Sequence, residues 1–96
     1  MLDRVCKEDF ESLVGQKVKV YKDESGSNLE VKEVVATHSP SPRATEPFRI
    51  VLRSRDGWVA TQGTFRIEHP ALGALELFAV PTGPDGEGLC YEIIFN

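Results

Sequence analysis

The chain has two histidines, two cysteines, one tryptophan and one methionine in 96 residues, and each shortage closes off a class of function. Cys6 and Cys90 stand far apart and outside any C-x-x-C pattern, so neither a disulfide framework nor a zinc-ribbon arrangement is expected. Both read as reduced thiols. His38 and His69 sit beside serine–proline and proline, with no H-E-x-x-H spacing, and a tetrahedral metal site would need four distant positions to converge. No metal and no cofactor is expected. No apolar stretch approaches the roughly 20 residues that cross a bilayer, and residues 1–8 carry charges where a secretory signal has its apolar core. The expectation is a soluble cytoplasmic protein without membrane contact.

Catalytic patterns are equally scarce. There is no G-x-S-x-G, and Cys90 lies in an apolar strand where burial raises a thiol pKa instead of lowering it. The glycine-rich stretch at residues 83–88 lacks the Lys-Ser/Thr of a phosphate cradle, and a strand follows it where a helix would be needed; it also lacks the oxygen spacing of a calcium loop. Asp23 with Glu24, and Asp85 with Glu87, are carboxylate pairs in turns with no apolar pocket around them. His69 beside Pro70 is read as shaping a turn. No catalytic residues and no enzyme activity are expected. Fifteen acidic residues against eleven basic ones argue against a nucleic-acid partner, which needs a phosphate-binding footprint.

What the chain does have is alternation. In residues 62–81, Phe65 and Ile67 alternate with Thr64, Arg66 and Glu68, a break at His69-Pro70-Ala71-Leu72-Gly73 turns the chain, and Leu75, Leu77 and Ala79 resume the buried phase. Residues 17–22 alternate likewise, and residues 23–28 supply turn chemistry before a return strand from Leu29 to about Thr37. Its parity breaks at Val34-Val35, where a bulge or a doubly buried strand is expected. Residues 38–47 hold three prolines and read as a loop. Phe48, Ile50 and Leu52 then face inward with Arg49 and Arg53 outward, and Asp56-Gly57 marks a turn. Residues 81–88 form another loop, and Leu89, Tyr91, Ile93 and Phe95 line one face of the last strand. Asp9 is read as the N-cap of a single helical turn ending at Gly15, with Phe10, Leu13 and Val14 on one face.

No internal repeat is visible. The pattern predicts one mainly β domain over residues 1–96, a six-stranded antiparallel barrel or sandwich with one short N-terminal helix, because closure protects edges that an open sheet would expose.

Two surface features carry functional content. Phe78, Val80 and Ile94 stand on the outward parity of the last two strands, where polar residues belong; the N-terminal helix is the simplest cover for them, and a partner-binding patch is the alternative. Among Arg43, Arg49, Arg53, Arg55 and Arg66, the outward Arg49 and Arg53, with Arg66 across on a neighbouring strand, are candidates for holding a small anion, with Trp58 as a wall. Cross-strand ladders with Glu30, Glu68 and Glu76 are the other use of those charges.

The phrase Gln62-Gly63-Thr64-Phe65-Arg66-Ile67-Glu68-His69-Pro70, followed by Leu72-Gly73, resembles the Q-G-T-Y-R-L-E-H-P-x-L-G of a family of small bacterial domains of unknown function. Leu75-Glu76-Leu77-Phe78, Val80-Pro81, the closing Tyr91 to Asn96 and the opening Phe10, Leu13, Val14 and Gly15 are also similar, and Phe65 replaces the family's usual tyrosine. The resemblance implies a compact mainly β domain in bacteria, sometimes encoded near phage-tail-like genes, with no assigned catalytic residues. Function is therefore expected to be that of a non-catalytic structural or protein-interaction module, using a protein partner or self-association, as an accessory to a phage-tail-like or other bacterial assembly. The alternative is a binding module for a small anionic ligand at the arginines.

Overall fold

The computed structural model describes residues 5–37 and 47–95. Within them lie helix α1 (Glu8–Glu11) and strands β1 (Lys17–Lys22), β2 (Ser25–Ala36), β3 (Phe48–Ser54), β4 (Gly63–His69), β5 (Gly73–Pro84) and β6 (Leu89–Phe95). The strands close into a barrel in the order β1-β2-β3-β6-β5-β4, with every seam antiparallel. Of the two expected architectures the barrel is the one adopted. The expected loop at residues 38–47, with His38 and Arg43, lies outside the described residues except for Pro47, whose carbonyl accepts from the Thr37 amide at 3.1 Å.

The topology is that of two three-stranded meanders, β1-β2-β3 and β4-β5-β6, joined by the β3–β6 and β1–β4 seams. The middle strand of each has 12 residues, and each slips register by a bulge against its third strand, between Val31 and Glu33 and between Pro81 and Gly83. This twofold arrangement leaves no sequence repeat, since period-two alternation and turn position are all that a meander demands of its residues.

Local chemistry accounts for where the elements differ from expectation. The first turn is only Asp23-Glu24, because Lys22 already pairs with Ser25 and Asp23 takes the left-handed conformation, φ +56°, which aspartate tolerates better than most side chains. The β2 bulge falls at Lys32, earlier than Val34-Val35, so Val34 sits opposite the inward Ile50 and Val35 opposite the outward Arg49. β5 runs through Pro81 to Pro84 where a loop was expected. Its β4 ladder ends at Ala79, and beyond that point it pairs with β6 alone, the setting in which a residue without an N–H is tolerated.

The barrel interior is filled by alternate residues of all six strands, including Leu29, Ile50, Phe65, Ile67, Leu77 and Ile93, each 5% exposed or less. Each mouth has an aromatic plug. At one, Phe48 and Phe95 stack at 4.3 Å, and Phe10 of α1 drops between them and His69, with centroids 6.4, 5.8 and 5.0 Å away. At the other, Trp58 packs on Phe65 and Tyr91 at 5.8 and 5.9 Å, donates Nε1–H to Ser25 Oγ at 2.7 Å, and the Ala60 amide donates to the Tyr91 hydroxyl at 2.9 Å.

The helix therefore does not cover Phe78, Val80 and Ile94, which corrects the simpler of the two expectations. Phe10 is fully buried in the mouth, where it meets three rings; a flat outer wall offers fewer contacts, and contact number decides where a four-residue helix docks. Nor is Asp9 its N-cap. Asp9 is the second residue of the helix, and its carboxylate reaches back to accept from the Cys6 amide at 2.9 Å.

Candidate docking face

The outer wall along β5 and β6 is where the polar exterior fails. Phe78, Ile94 and Val80 are 58%, 51% and 36% exposed. Alternation puts Phe78 and Val80 on the same face of β5, and the register that sets Ala79 opposite Ile93 and Val80 opposite Glu92 brings Phe78, one step further, level with Ile94. Thr64 flanks Phe78 on β4, and Arg49 flanks Ile94 on β3. The strip is thus continuous across the seam and bordered by polar groups, the composition expected at a protein-contact surface.

Beside it lies a depression of about 310 Å³ with walls that include Lys32, Arg49, Val51, Asp85, Cys90 and Glu92. Its electrostatics are internally balanced. Arg53, with a side chain only 11% exposed, contacts Glu30 at 3.0 Å and Asp85 at 2.6 Å. Lys32 reaches Asp85 at 3.0 Å, and Arg55 bridges Glu30 and Glu87 at 2.9 and 3.1 Å. The other Asp85 oxygen accepts the amides of Glu87 and Gly88 at 2.9 and 3.0 Å. The Glu87 amide first, then Arg53 and Lys32, hold the Asp85 carboxyl far below the usual carboxylate range. Arg55 and then Arg53 lower Glu30 in the same way. The network fastens the Asp85–Gly88 loop to β2 and β3.

The arginines singled out in the sequence are not brought together. Arg49 is paired with Glu92 at 3.1 Å and Glu33 at 3.6 Å, and Arg53 lies in the network just described. Arg66, expected on a neighbouring strand, is on β4, three strands from β3 in either direction round the barrel. There it lies over the Tyr21 ring at 4.9 Å, above a shallow polar depression shared with Asp23, Thr64 and Glu76. β3 passes to β4 through a long connection that carries it to the opposite wall, which hairpin reasoning misses. Trp58 is half-buried as the mouth plug and is no wall for a ligand at Arg49 or Arg53.

The nucleophile candidates are placed for packing. Cys90 is buried, and burial first, then the neighbouring Asp85 carboxylate, pushes its thiol up. Burial and the Asp9 contact also raise the Cys6 thiol, so both favour the unreactive protonated form. Sequence reasoning missed Asp85, Lys32 and Glu30 as a unit. The Asp85-Gly86-Glu87-Gly88 turn was legible, but partners on β2 and β3 are set by closure alone.

A closed antiparallel barrel, plugged at both mouths and carrying an exposed apolar strip, defines a small β-barrel domain. The chain belongs to the family described as a domain of unknown function, DUF6916, whose model matches residues 5–95. No curated protein and no solved structure matches it. No helix in the described residues is long and apolar enough to cross a membrane.

Proposed function

We propose that the protein is a non-catalytic interaction module that docks an apolar protein surface on the Phe78, Val80 and Ile94 strip. The observation that carries this reading is the exposure of three adjacent large apolar side chains bordered by Thr64 and by the ion-paired Arg49 and Glu92. Barrel closure supports the same reading, because pairing through an open sheet edge is the usual motif-free route to association, and side-chain contact is what closure leaves. The strip is smaller than the roughly 800 Å² per partner of a standard interface, so docking is weak and reversible. A second copy of the chain is a fitting occupant: Arg49 beside Glu33 and Glu92 gives the border both signs of charge, so two copies related by a twofold axis can meet without like charges opposed.

On this reading the module works in the bacterial cytoplasm as an accessory to a phage-tail-like or other multiprotein assembly; the support is the resemblance of residues 62–73 to domains sometimes encoded near such genes. The anion-binding alternative has less behind it, since carboxylates already occupy Arg49 and Arg53.

Light scattering across a roughly hundredfold dilution tests the proposal. The expected result is a mass that rises with concentration above the 10.6 kDa monomer and that Phe78→Glu returns to the monomer value. A monomer at every concentration, identical in the variant, counts against it.

A further inference from the structure

The outer wall carries a projection and a recess side by side. Phe78 projects from β5, 58% exposed. The recess is the depression of about 310 Å³ that begins at Glu92, within the size range of pockets that hold small ligands and roomy enough for a phenyl ring. Its floor is apolar. Val51 lies between the inward Ile50 and Leu52, and Cys90 between Leu89 and the inward Tyr91, so alternation turns both outward. Both are nevertheless buried, at 7% and 4%. Thr82, Gly83 and Pro84 wall one side, where β5 bulges between Pro81 and Gly83.

The rim of the recess can be covered without stranding a charge. Arg49 is paired with Glu92 at 3.1 Å and Glu33 at 3.6 Å, and Lys32 with Asp85 at 3.0 Å. An apolar group that enters between them buries satisfied pairs, not isolated ions, and Arg49 offers a cation to an aromatic ring set beside it.

A chain does not fill its own recess, because β6 separates Phe78 on β5 from Val51 on β3. The register puts Val80 opposite Glu92 and Glu92 opposite Val51, and it sets Phe78 level with Ile94. The diagonal from Val80 to Ile94 therefore has Phe78 on one side and Glu92 with Val51 on the other. A twofold axis laid along that diagonal exchanges the two sides between copies, so one wall bearing both features is complementary to itself, as an isologous interface requires.

On the reading that the strip docks a second copy, we propose that the dimer is a reciprocal knob-in-hole pair. The Phe78 ring of each copy enters the other's depression against Val51, while Val80 and Ile94 meet their counterparts along the axis. Each recess is completed only by the second chain.

Isotope-filtered NOE spectra of a sample mixed from ¹³C-labelled and unlabelled protein read contacts between copies alone. Where light scattering gives the dimer mass, the expected result is a cross-peak from the Phe78 ring to the Val51 methyls. Thr82→Trp, at an exposed position on the wall of the recess, puts an indole where the ring should enter and keeps Phe78, Val80 and Ile94; it should weaken self-association by about tenfold or more. A dimer that Phe78→Glu dissociates, but that lacks the cross-peak or is unchanged by Thr82→Trp, overturns the knob-in-hole arrangement and leaves the docking face standing. A monomer at every concentration overturns both. Should Thr82→Trp fail to fold, the cross-peak in the unmodified protein decides.

Discussion

Asp85 is the residue on which the polar contacts of the outer wall converge. One oxygen organises its own loop through the Glu87 and Gly88 amides, and the other faces Arg53 and Lys32. Because the folded protein holds this carboxyl below its unfolded range, centred near 3.8, its stabilisation is present at neutral pH and is lost as the pH falls beneath that range. Asp85→Asn keeps an acceptor for the loop amides and removes the charge. It should lower the urea midpoint at about pH 7, with the gap from the unmodified protein narrowing below about pH 4, where the unfolded chain's carboxyl takes up a proton and the folded carboxylate does not. Equal midpoints at neutral pH would show that the network contributes nothing. The loop role of Asp85 could be read from Asp-Gly-Glu-Gly, because such turn bonds are local. Its ion pairs could not, because they join residues more than thirty positions apart that only closure brings together. His69 divides similarly: its turn role followed from the adjacent proline, and its bond to Asp9, across sixty positions, had no local signal.

Among the elements, the strands were legible and the plug was not. Period-two alternation located all six strands and the inward faces of β3, β4 and β6, since one buried face forces that pattern. Boundaries moved where a backbone exception did the deciding, with Asp23 at positive φ shortening the first turn and Pro81 tolerated where β5 has only β6 beside it. For α1, Phe10, Leu13 and Val14 were read as one face in need of a surface; Phe10 and Leu13 are buried and Val14 is exposed, and which surface they meet depends on a mouth built by Phe48, His69 and Phe95 from three different strands. The location makes a prediction about energy. Phe10→Ala should cost about 3–5 kcal/mol in urea unfolding, as for other fully buried phenylalanines, while leaving Phe78 as exposed as before. A loss below about 0.5 kcal/mol, the scale of an ordinary surface substitution, would contradict the plug.

At the scale of the whole molecule, two meanders closed on each other leave a barrel with its mouths filled and one wall apolar. Closure was legible as an argument about edges; the strand order was not, since alternation says nothing about which meander edge meets which. The exposed parity of Phe78, Val80 and Ile94 was legible, and their adjacency follows from the β5–β6 register. The central claim is that this strip lies outside the protein's own core and is held for contact with another surface. Urea unfolding of Phe78→Glu at a concentration where the protein is monomeric tests it most directly. The account predicts a midpoint and slope within about 0.5 kcal/mol of the unmodified protein, as for a surface site. A loss of more than about 2 kcal/mol, the cost of placing a charge in a covered apolar contact, would mean that the chain itself buries the strip and that no docking face exists there.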